Sequence, residues 1–183
     1  RYEFLNTQKI DLEKSSQELR KIIEEMDEIM IQKFANTFES IKNEFTEVFK
    51  KLFKGGSGIL KLTDPENILE TGIDIIAEPP GKKLNNIALL SGGEKTLTAI
   101  SLLFAILNVK PVPFCILDEV EAALDEANVD TFGSYLQSKK EASEFILITH
   151  KKRTMEYADT LYGITMQESG VSKIVSVELD KVA

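Results

Sequence analysis

Residues 90–125 read LSGGEKTLTAISLLFAILNVKPVPFCILDEVEAALD, and this stretch decides the fold. Ser91 and Glu94 stand three apart ahead of an apolar run, the spacing of a capping box, so a helix should start at Gly92. Gly92 and Gly93 leave the first free N–H groups of that helix open to close approach. A helix N-terminus with bare donors and a positive dipole end is an anion site, and phosphate is the usual anion. The helix runs to about Asn108 and is apolar on most faces, which predicts burial. Pro111 and Pro113 lead into residues 114–117, a short apolar run that reads as a buried strand. Asp118 and Glu119 close it, where an open α/β sheet places its ligands. One carboxylate there can hold magnesium and the other can orient a water. Taken singly, Ser-x-x-Glu is a plain helix start and Asp-Glu a solvated turn. The order and spacing of all the parts carry the functional reading.

Upstream, residues 1–54 read as helix in two segments. Leu5, Leu12, Leu19 and Met26 recur at seven, with Ile22 and Ile29 at the other seam positions, which is coiled-coil spacing. Gln8 and Ser15 weaken the early seam. Phe34, Phe38, Ile41, Phe45, Val48 and Leu52 continue in steps of three and four, and the change of phase between Met30 and Phe34 looks like a stutter. Five phenylalanines, at 34, 38, 45, 49 and 53, suit a domain core better than a two-stranded seam. The reading is therefore a coiled-coil root over 1–30, which needs a partner strand, followed by a lobe over 31–183.

Lys54-Gly55-Gly56-Ser57-Gly58 ends the helix, with glycine supplying the tight turn. This cluster is not a phosphate loop, which needs Gly, four residues, then Gly-Lys-Ser/Thr. The chain's one Gly-Lys pair, Gly81-Lys82, is followed by Lys83 and has Ile76 five places before Gly81. The Walker A loop is absent. Residues 57–62 alternate as an edge-like strand, 63–67 turn, and 72–78 form a second strand broken by Pro79, Pro80 and Gly81. Lys82 and Lys83 fall on the loop before Ser91 and read as solvent-facing.

Downstream, residues 125–138 form a helix with Val129, Phe132, Tyr135 and Leu136 on its inner face. Residues 144–149 are a continuous apolar strand in a βαβ context, which suggests a parallel sheet. His150 follows directly. Lys151, Lys152 and Arg153 then open a helix; most such runs are solvated helix starts, but the dipole there does not favour cations, so a contact with phosphate or an acidic protein gains weight. Residues 160–166 and 173–177 read as a hairpin around Glu168-Ser169-Gly170.

At 183 residues the chain has room for one domain with a sizeable core plus an extension. It begins at Arg1 without methionine, so a piece of a longer protein is expected. There is no signal-like segment and no run long enough to span a membrane. Its one cysteine, Cys115, excludes an internal disulfide and reads as a small core residue, compatible with a reducing cytoplasm. A net charge of −8 argues against a protein that coats DNA, though not against a local basic contact.

These parts resemble the ATP-binding-cassette ATPases. Leu90 to Glu94 is similar to their signature motif, Phe114 to Glu119 to the Walker B strand, Leu124-Asp125 to the D-loop, and His150 to the switch histidine. Within that superfamily the run from Pro113 to Val129 resembles the structural maintenance of chromosomes (SMC) proteins of the bacterial condensin type. So do Pro79-Pro80-Gly81-Lys82-Lys83-Leu84 and Leu161-Tyr162-Gly163-Ile164-Thr165-Met166. A transporter cassette would carry Pro-Thr-Ser where this chain has Val120-Glu121-Ala122. Lys95 stands where many relatives have arginine, and Lys152-Arg153 where they often have Lys-Gly.

The resemblance implies an α/β fold, the C-terminal lobe of an ABC-type head. That lobe has a mainly parallel sheet with flanking helices, a C-terminal β-hairpin and a coiled-coil root. It implies that Ser91, Gly92, Gly93 and Glu94 meet the γ-phosphate of ATP held by an opposite head. Asp118 would hold Mg2+ through water, Glu119 would polarise the attacking water, and His150 would hydrogen-bond the γ-phosphate. Leu124 and Asp125 would form the D-loop, with Asp125 at the head–head seam. The implied partners are the N-terminal lobe carrying Walker A, a second SMC head, a kleisin subunit, and DNA in the full complex. The location would be cytoplasmic and nucleoid-associated, with no membrane partner. The 160–177 hairpin and the helix over 5–29 are the candidate kleisin surfaces. This chain alone is expected to be inactive. Competing readings are a transporter cassette, a non-enzymatic kleisin-docking module, and a double-strand-break repair relative.

Overall fold

The computed structural model describes residues 1–83 and 85–178; Leu84 of the Pro-Pro-Gly-Lys-Lys-Leu motif and the last five residues of the expected lobe lie outside them. Residues Tyr2–Phe53 form one unbroken helix, α1, of 52 residues, not two segments. No glycine or proline interrupts it, and a stutter changes which face is apolar without breaking backbone hydrogen bonds. At 1.5 Å per residue it is about 78 Å long, longer than a small domain is wide. Its first half therefore stands clear. Leu5, Leu12, Leu19, Ile22, Met26 and Ile29 are all at least half exposed, whereas Phe45, Val48, Phe49 and Leu52 are buried.

The helix ends in a way the sequence did not suggest. The left-handed residue is Lys54 itself, at φ 56°, and Gly55 N–H bonds the Lys50 carbonyl at 2.9 Å. That six-to-one bond is the Schellman arrangement, one residue ahead of the glycines. Gly56 is required for a different reason: a Cβ there would lie 2.2 Å from the Glu78 carbonyl oxygen.

Strands β1 (Ser57–Leu62) and β2 (Ile73–Glu78) pair antiparallel, and β3 (Asn85–Asn86) adds to β2 in the same sense. Helix α2 (Gly92–Val109) follows, then β4 (Phe114–Asp118), α3 (Glu126–Lys139), β5 (Glu144–Ile148) and the short α4 (Lys152–Met155). The chain closes with β6 (Thr160–Glu168) and β7 (Val171–Glu178), an antiparallel hairpin with a bulge between Met166 and Glu168.

The architecture is α/β, but the expected mainly parallel sheet is not formed among the described residues. Parallel pairing is confined to β4 with β5, and the other two sheets are antiparallel. The expectation of fully buried strands is corrected too. Leu117 is buried, yet Phe114, Ile116, Ile146 and Ile148 are 57, 56, 46 and 51% exposed. The reason is geometric: α2 and α3 cover one face of the pair, and none of the described residues covers the other. Cys115 is half-buried against the core, as a small filler.

The C-terminal half of α1 is the spine of that core. On one side Val48 and Leu52 pack with Leu97, Ile100 and Phe104 of α2 and with Val129, Phe132, Tyr135 and Leu136 of α3. On another, Phe38, Phe45 and Phe49 pack with Leu60, Ala77 and Ala105. Asn108 stitches the helices, donating through Nδ2 to Glu44 Oε2 and to the Tyr135 hydroxyl, each at 3.0 Å.

Helix α3 meets Tyr157, just after α4, at Gly133. A Cβ on Gly133 would lie 2.3 Å from ring carbon Cδ2 of Tyr157. The ring cannot swing away freely, because its hydroxyl donates to Asp130 Oδ1 at 3.0 Å. Gly133→Ala should therefore lower stability by about 1–3 kcal/mol through overpacking, outweighing the better helix propensity of alanine. Urea unfolding of the purified chain reads this directly; a gain in stability would contradict the close approach of Tyr157.

Candidate functional site

The N-terminus of α2 is built around Glu94. Ser91 is extended at φ −65°, ψ 164°, and its N–H donates to Glu94 Oε2 at 3.0 Å while its hydroxyl donates to the same oxygen at 2.7 Å. Lys82 was expected to face solvent. It does, with its side chain 52% exposed, and its Nζ also lies 2.8 Å from Glu94 Oε1 and 2.9 Å from Oε2. No local periodicity marks a pairing twelve residues apart, so this contact could not be read from sequence. The Lys82 ammonium, and then the two Ser91 donors, hold the Glu94 carboxyl down at about 2.

That displacement has a sign that can be tested. Glu94 ordinarily titrates at 4.5 and is depressed to about 2 in the fold, so its contribution is present above 4.5 and is lost as pH falls toward 2. A carboxyl-carbon NMR titration should find Glu94 still ionised where the exposed glutamates have protonated. Lys82→Met should move its midpoint upward. An unshifted Glu94 would mean that Lys82 does not hold it.

The two glycines differ. A Cβ on Gly92 would meet nothing within 4 Å, whereas one on Gly93 would lie 3.1 Å from the Ala123 carbonyl oxygen. Gly93 thus lets the start of α2 approach the loop carrying Leu124 and Asp125. Gly92 faces open space and has no intramolecular contact that requires it to be glycine.

The second cluster lies at the C-terminal ends of β4 and β5. Asp118 is the last residue of β4, exposed, with no side-chain partner among the described residues. Glu119 follows at φ 48°, a left-handed conformation uncommon outside glycine, and its N–H bonds the Ile148 carbonyl at 2.9 Å. This turn aims the Glu119 carboxylate at His150, with Oε1 3.2 Å from Nδ1. Both side chains are more than half exposed. An ionised carboxylate only accepts, so in this arrangement the Nδ1 nitrogen carries the proton.

Asp125 caps α3, its Oδ1 accepting from Asn128 N–H at 2.9 Å, and Leu124 is buried in the core. The carbonyl of Leu124 accepts from Lys151 Nζ at 2.6 Å. Lys151 is therefore engaged within the chain. Arg153 is also engaged: Nη2 donates to Asp130 Oδ2 at 3.0 Å and Nη1 to Glu156 Oε2 at 2.6 Å. Its guanidinium lowers the Asp130 carboxyl, and Asp130 raises Arg153 in turn.

The structure thus brings Glu119 to His150, and Gly93 and Lys151 to the loop of Leu124. No hydrogen bond among the described residues joins Ser91 or Glu94 to Asp118, Glu119 or His150. The chain thus carries two clusters that no such bond joins, one of helix N–H donors and one of carboxylates. No group of three or more His, Cys, Asp or Glu side chains is placed to hold a metal by itself among the described residues. Asp118 alone, with its free acceptors, suits magnesium, which keeps most of its waters and takes one or two carboxylates plus substrate phosphates. No helix among the described residues is long and apolar enough to cross a membrane.

A family model described as the RecF/RecN/SMC N terminal domain matches residues 2–173. The Chromosome partition protein Smc of Bacillus subtilis (strain 168) is 59% identical over 181 residues, 99% of this chain and 15% of that protein. That of Desulfitobacterium hafniense (strain Y51) is 54% identical over 180 residues, 98% of this chain and again 15% of the relative. Among solved structures, the Smc head domain with an extended coiled coil bound to the C-terminal domain of ScpA, from Pyrococcus furiosus, superposes at a TM-score of 0.78. It is 39% identical, over 97% of this chain and 44% of that one. A structure described under ATP-driven dimerization and DNA stimulated activation of SMC ATPases reaches 0.75 at 41% identity, covering 81% of this chain and 89% of that one. The chain spans about 15% of the length of the curated relatives it matches.

Proposed function

The chain belongs to the RecF/RecN/SMC family, homologous to Smc heads, and from that premise we propose that it is the C-terminal lobe of the ATPase head of a chromosome-partition protein. The observation that carries this is the Glu119–His150 pair, 3.2 Å apart at the ends of the two parallel strands. It stands on the same chain as a capped helix start with a free glycine but no phosphate loop.

In this reading the two half-sites serve different nucleotides. Asp118 and Glu119 face ATP bound to Walker A of the same head. Ser91 and the N–H groups of Gly92 and Gly93 meet the γ-phosphate of ATP on a second head. Asp118, together with phosphate oxygens, would hold magnesium, which would supply charge neutralisation of the transferring phosphoryl group. Glu119 orients the attacking water and accepts its proton. His150 must change its hydrogen bonding to act. A neutral ring with the proton on Nδ1 has only an acceptor at Nε2, so donation to phosphate requires release from Glu119 or a second proton. The Ser91 hydroxyl likewise must turn from Glu94 to the phosphate, leaving Lys82 to balance the carboxylate.

The uncovered face of β4 and β5, with Phe114, Ile116, Ile146 and Ile148, is the seat of the N-terminal lobe. The exposed first half of α1 pairs with the returning strand of a coiled coil, so residues 1–30 are the root and the remainder the lobe. A kleisin would dock on the outer face of β6–β7, where Tyr162, Ile164 and Ile174 are 69, 67 and 66% exposed, or on α1. DNA would be met by the whole complex, at the nucleoid. The relatives reported above are chromosome-partition proteins, so the transporter reading is not favoured.

The test is ATP binding and turnover by the chain alone and after mixing with an N-terminal lobe carrying Walker A. Silence alone and hydrolysis on mixing supports the composite head. Tight ATP binding by the chain alone overturns it.

A further inference from the structure

Among the described residues, Glu121 is the one fully buried carboxylate, 1% exposed. Its Oε1 accepts from the Thr154 hydroxyl at 3.0 Å, and Thr154 is itself 4% exposed. Its Oε2 is buried without a partner. A carboxylate with one neutral donor and an orphaned oxygen is an expensive way to fill a core position that leucine or methionine could fill. The arrangement therefore calls for a use beyond packing.

Its place supplies one. Residues 119–124 turn tightly, with Ala122 N–H on the Glu119 carbonyl and Leu124 N–H on the Glu121 carbonyl, both at 3.0 Å. The facing segment leaves β5 at Ile148 and reaches α4 only at Lys152, so His150 belongs to no regular element. Beside the backbone bond from Glu119 N–H to the Ile148 carbonyl, three side-chain contacts cross between residues 119–124 and 150–154. Glu119 Oε1 meets His150 Nδ1, Glu121 Oε1 meets the Thr154 hydroxyl, and the Leu124 carbonyl meets Lys151 Nζ. The first is exposed, and an exposed pair holds little by itself. The other two are buried or half-buried and lie directly beyond it.

We propose that Glu121, Thr154 and Lys151 are positioning residues for ATP hydrolysis, a two-bond latch that sets His150 against Glu119. This rests on the functional reading above. Because Lys151 holds the carbonyl of Leu124, one residue before Asp125, the latch also ties the placement of His150 to the loop proposed for the head–head seam. A second head pressing on that loop would be felt at His150 through Lys151.

The experiment uses the head assembled with its N-terminal lobe. Thr154→Val removes the donor at constant volume, and Lys151→Met removes the grip on Leu124 without stranding a buried charge. Each should lower kcat on the order of tenfold or more, since small displacements of reacting groups are costly. KM for ATP and ATP-dependent head engagement should stay at parental values, and Thr154→Ser should restore kcat. A residue that only stabilises the fold would lower the melting temperature without this split. Should Thr154→Val fail to fold, Lys151→Met decides alone: parental kcat in that variant overturns the latch. Parental kcat in a folded Thr154→Val does the same. An unmutated assembly without ATPase, or one whose Glu119→Gln form keeps it, overturns the functional reading and the latch together; loss in Glu119→Gln with no effect at 151 and 154 overturns the latch alone.

Discussion

Glu119→Gln in the assembled head should lower turnover by roughly 10²–10⁴-fold while ATP binding and head engagement persist. The substitution keeps the side-chain length and removes the ability to take a proton from water. It also leaves the backbone argument untouched. Glu119 sits at φ 48°, and glutamine meets the same steric cost there, so a loss of turnover reports on the carboxylate and not on the turn. The contact to His150 changes from a charged acceptor to a neutral one at 3.2 Å. With both groups more than half exposed, that change alone is worth little to stability. Single-turnover hydrolysis and ATP-dependent dimerisation should be measured on the same preparation. A variant that hydrolyses at the parental rate shows that some other group handles the water.

Ser91→Arg should abolish ATP-dependent engagement of two heads and leave ATP bound to Walker A of the same head. Ser91 is exposed, and a Cβ on Gly92 beside it would meet nothing within 4 Å, so the start of α2 is open to another molecule in this chain. Arginine fills that space with a long side chain and forfeits the hydroxyl donor to Glu94. Losing the serine cap costs about 1 kcal/mol, which the core formed by α1, α2 and α3 should absorb. Thermal melting of the variant should therefore show a folded protein with a modest shift. Size-exclusion chromatography with ATP, in the Glu119→Gln background to prevent turnover, then reads engagement. Normal dimerisation would show that a second nucleotide does not meet this helix start.

Both variants draw on residues that stand out in the one-dimensional chain, and the reason is local physics. A cap and its partner are three residues apart, a helix repeats every 3.6, and a strand-helix-strand order with short apolar runs signals parallel pairing. Those rules act within a few residues, so they survive without knowledge of the fold. They placed α2, β4, α3, β5 and the terminal hairpin, the inner face of α3, and the division of α1 into an exposed and a buried half. The SMC family was legible for the same reason: its motifs are short and contiguous.

Other features were decided only when distant segments met. Lys82 reaches Glu94 across twelve residues of sequence, Lys151 reaches Leu124 across 27, and Thr154 reaches Glu121 across 33. Nothing in spacing specifies such pairs, because each depends on how two loops are set by the elements beneath them. The same holds for Lys151 and Arg153 after His150, whose charges looked available and are in fact engaged by the Leu124 carbonyl, Asp130 and Glu156. It holds for β4 and β5, whose apolar residues promised full burial. Hydrophobicity states that a surface should be covered, but not by which chain. Sequence by itself determined the elements, their order and the chemistry offered at their ends. Tertiary structure decided which of those groups touch, which face stays open, and that a carboxylate, Glu121, is buried against Thr154, because contacts between distant residues are set by packing and not by local propensity.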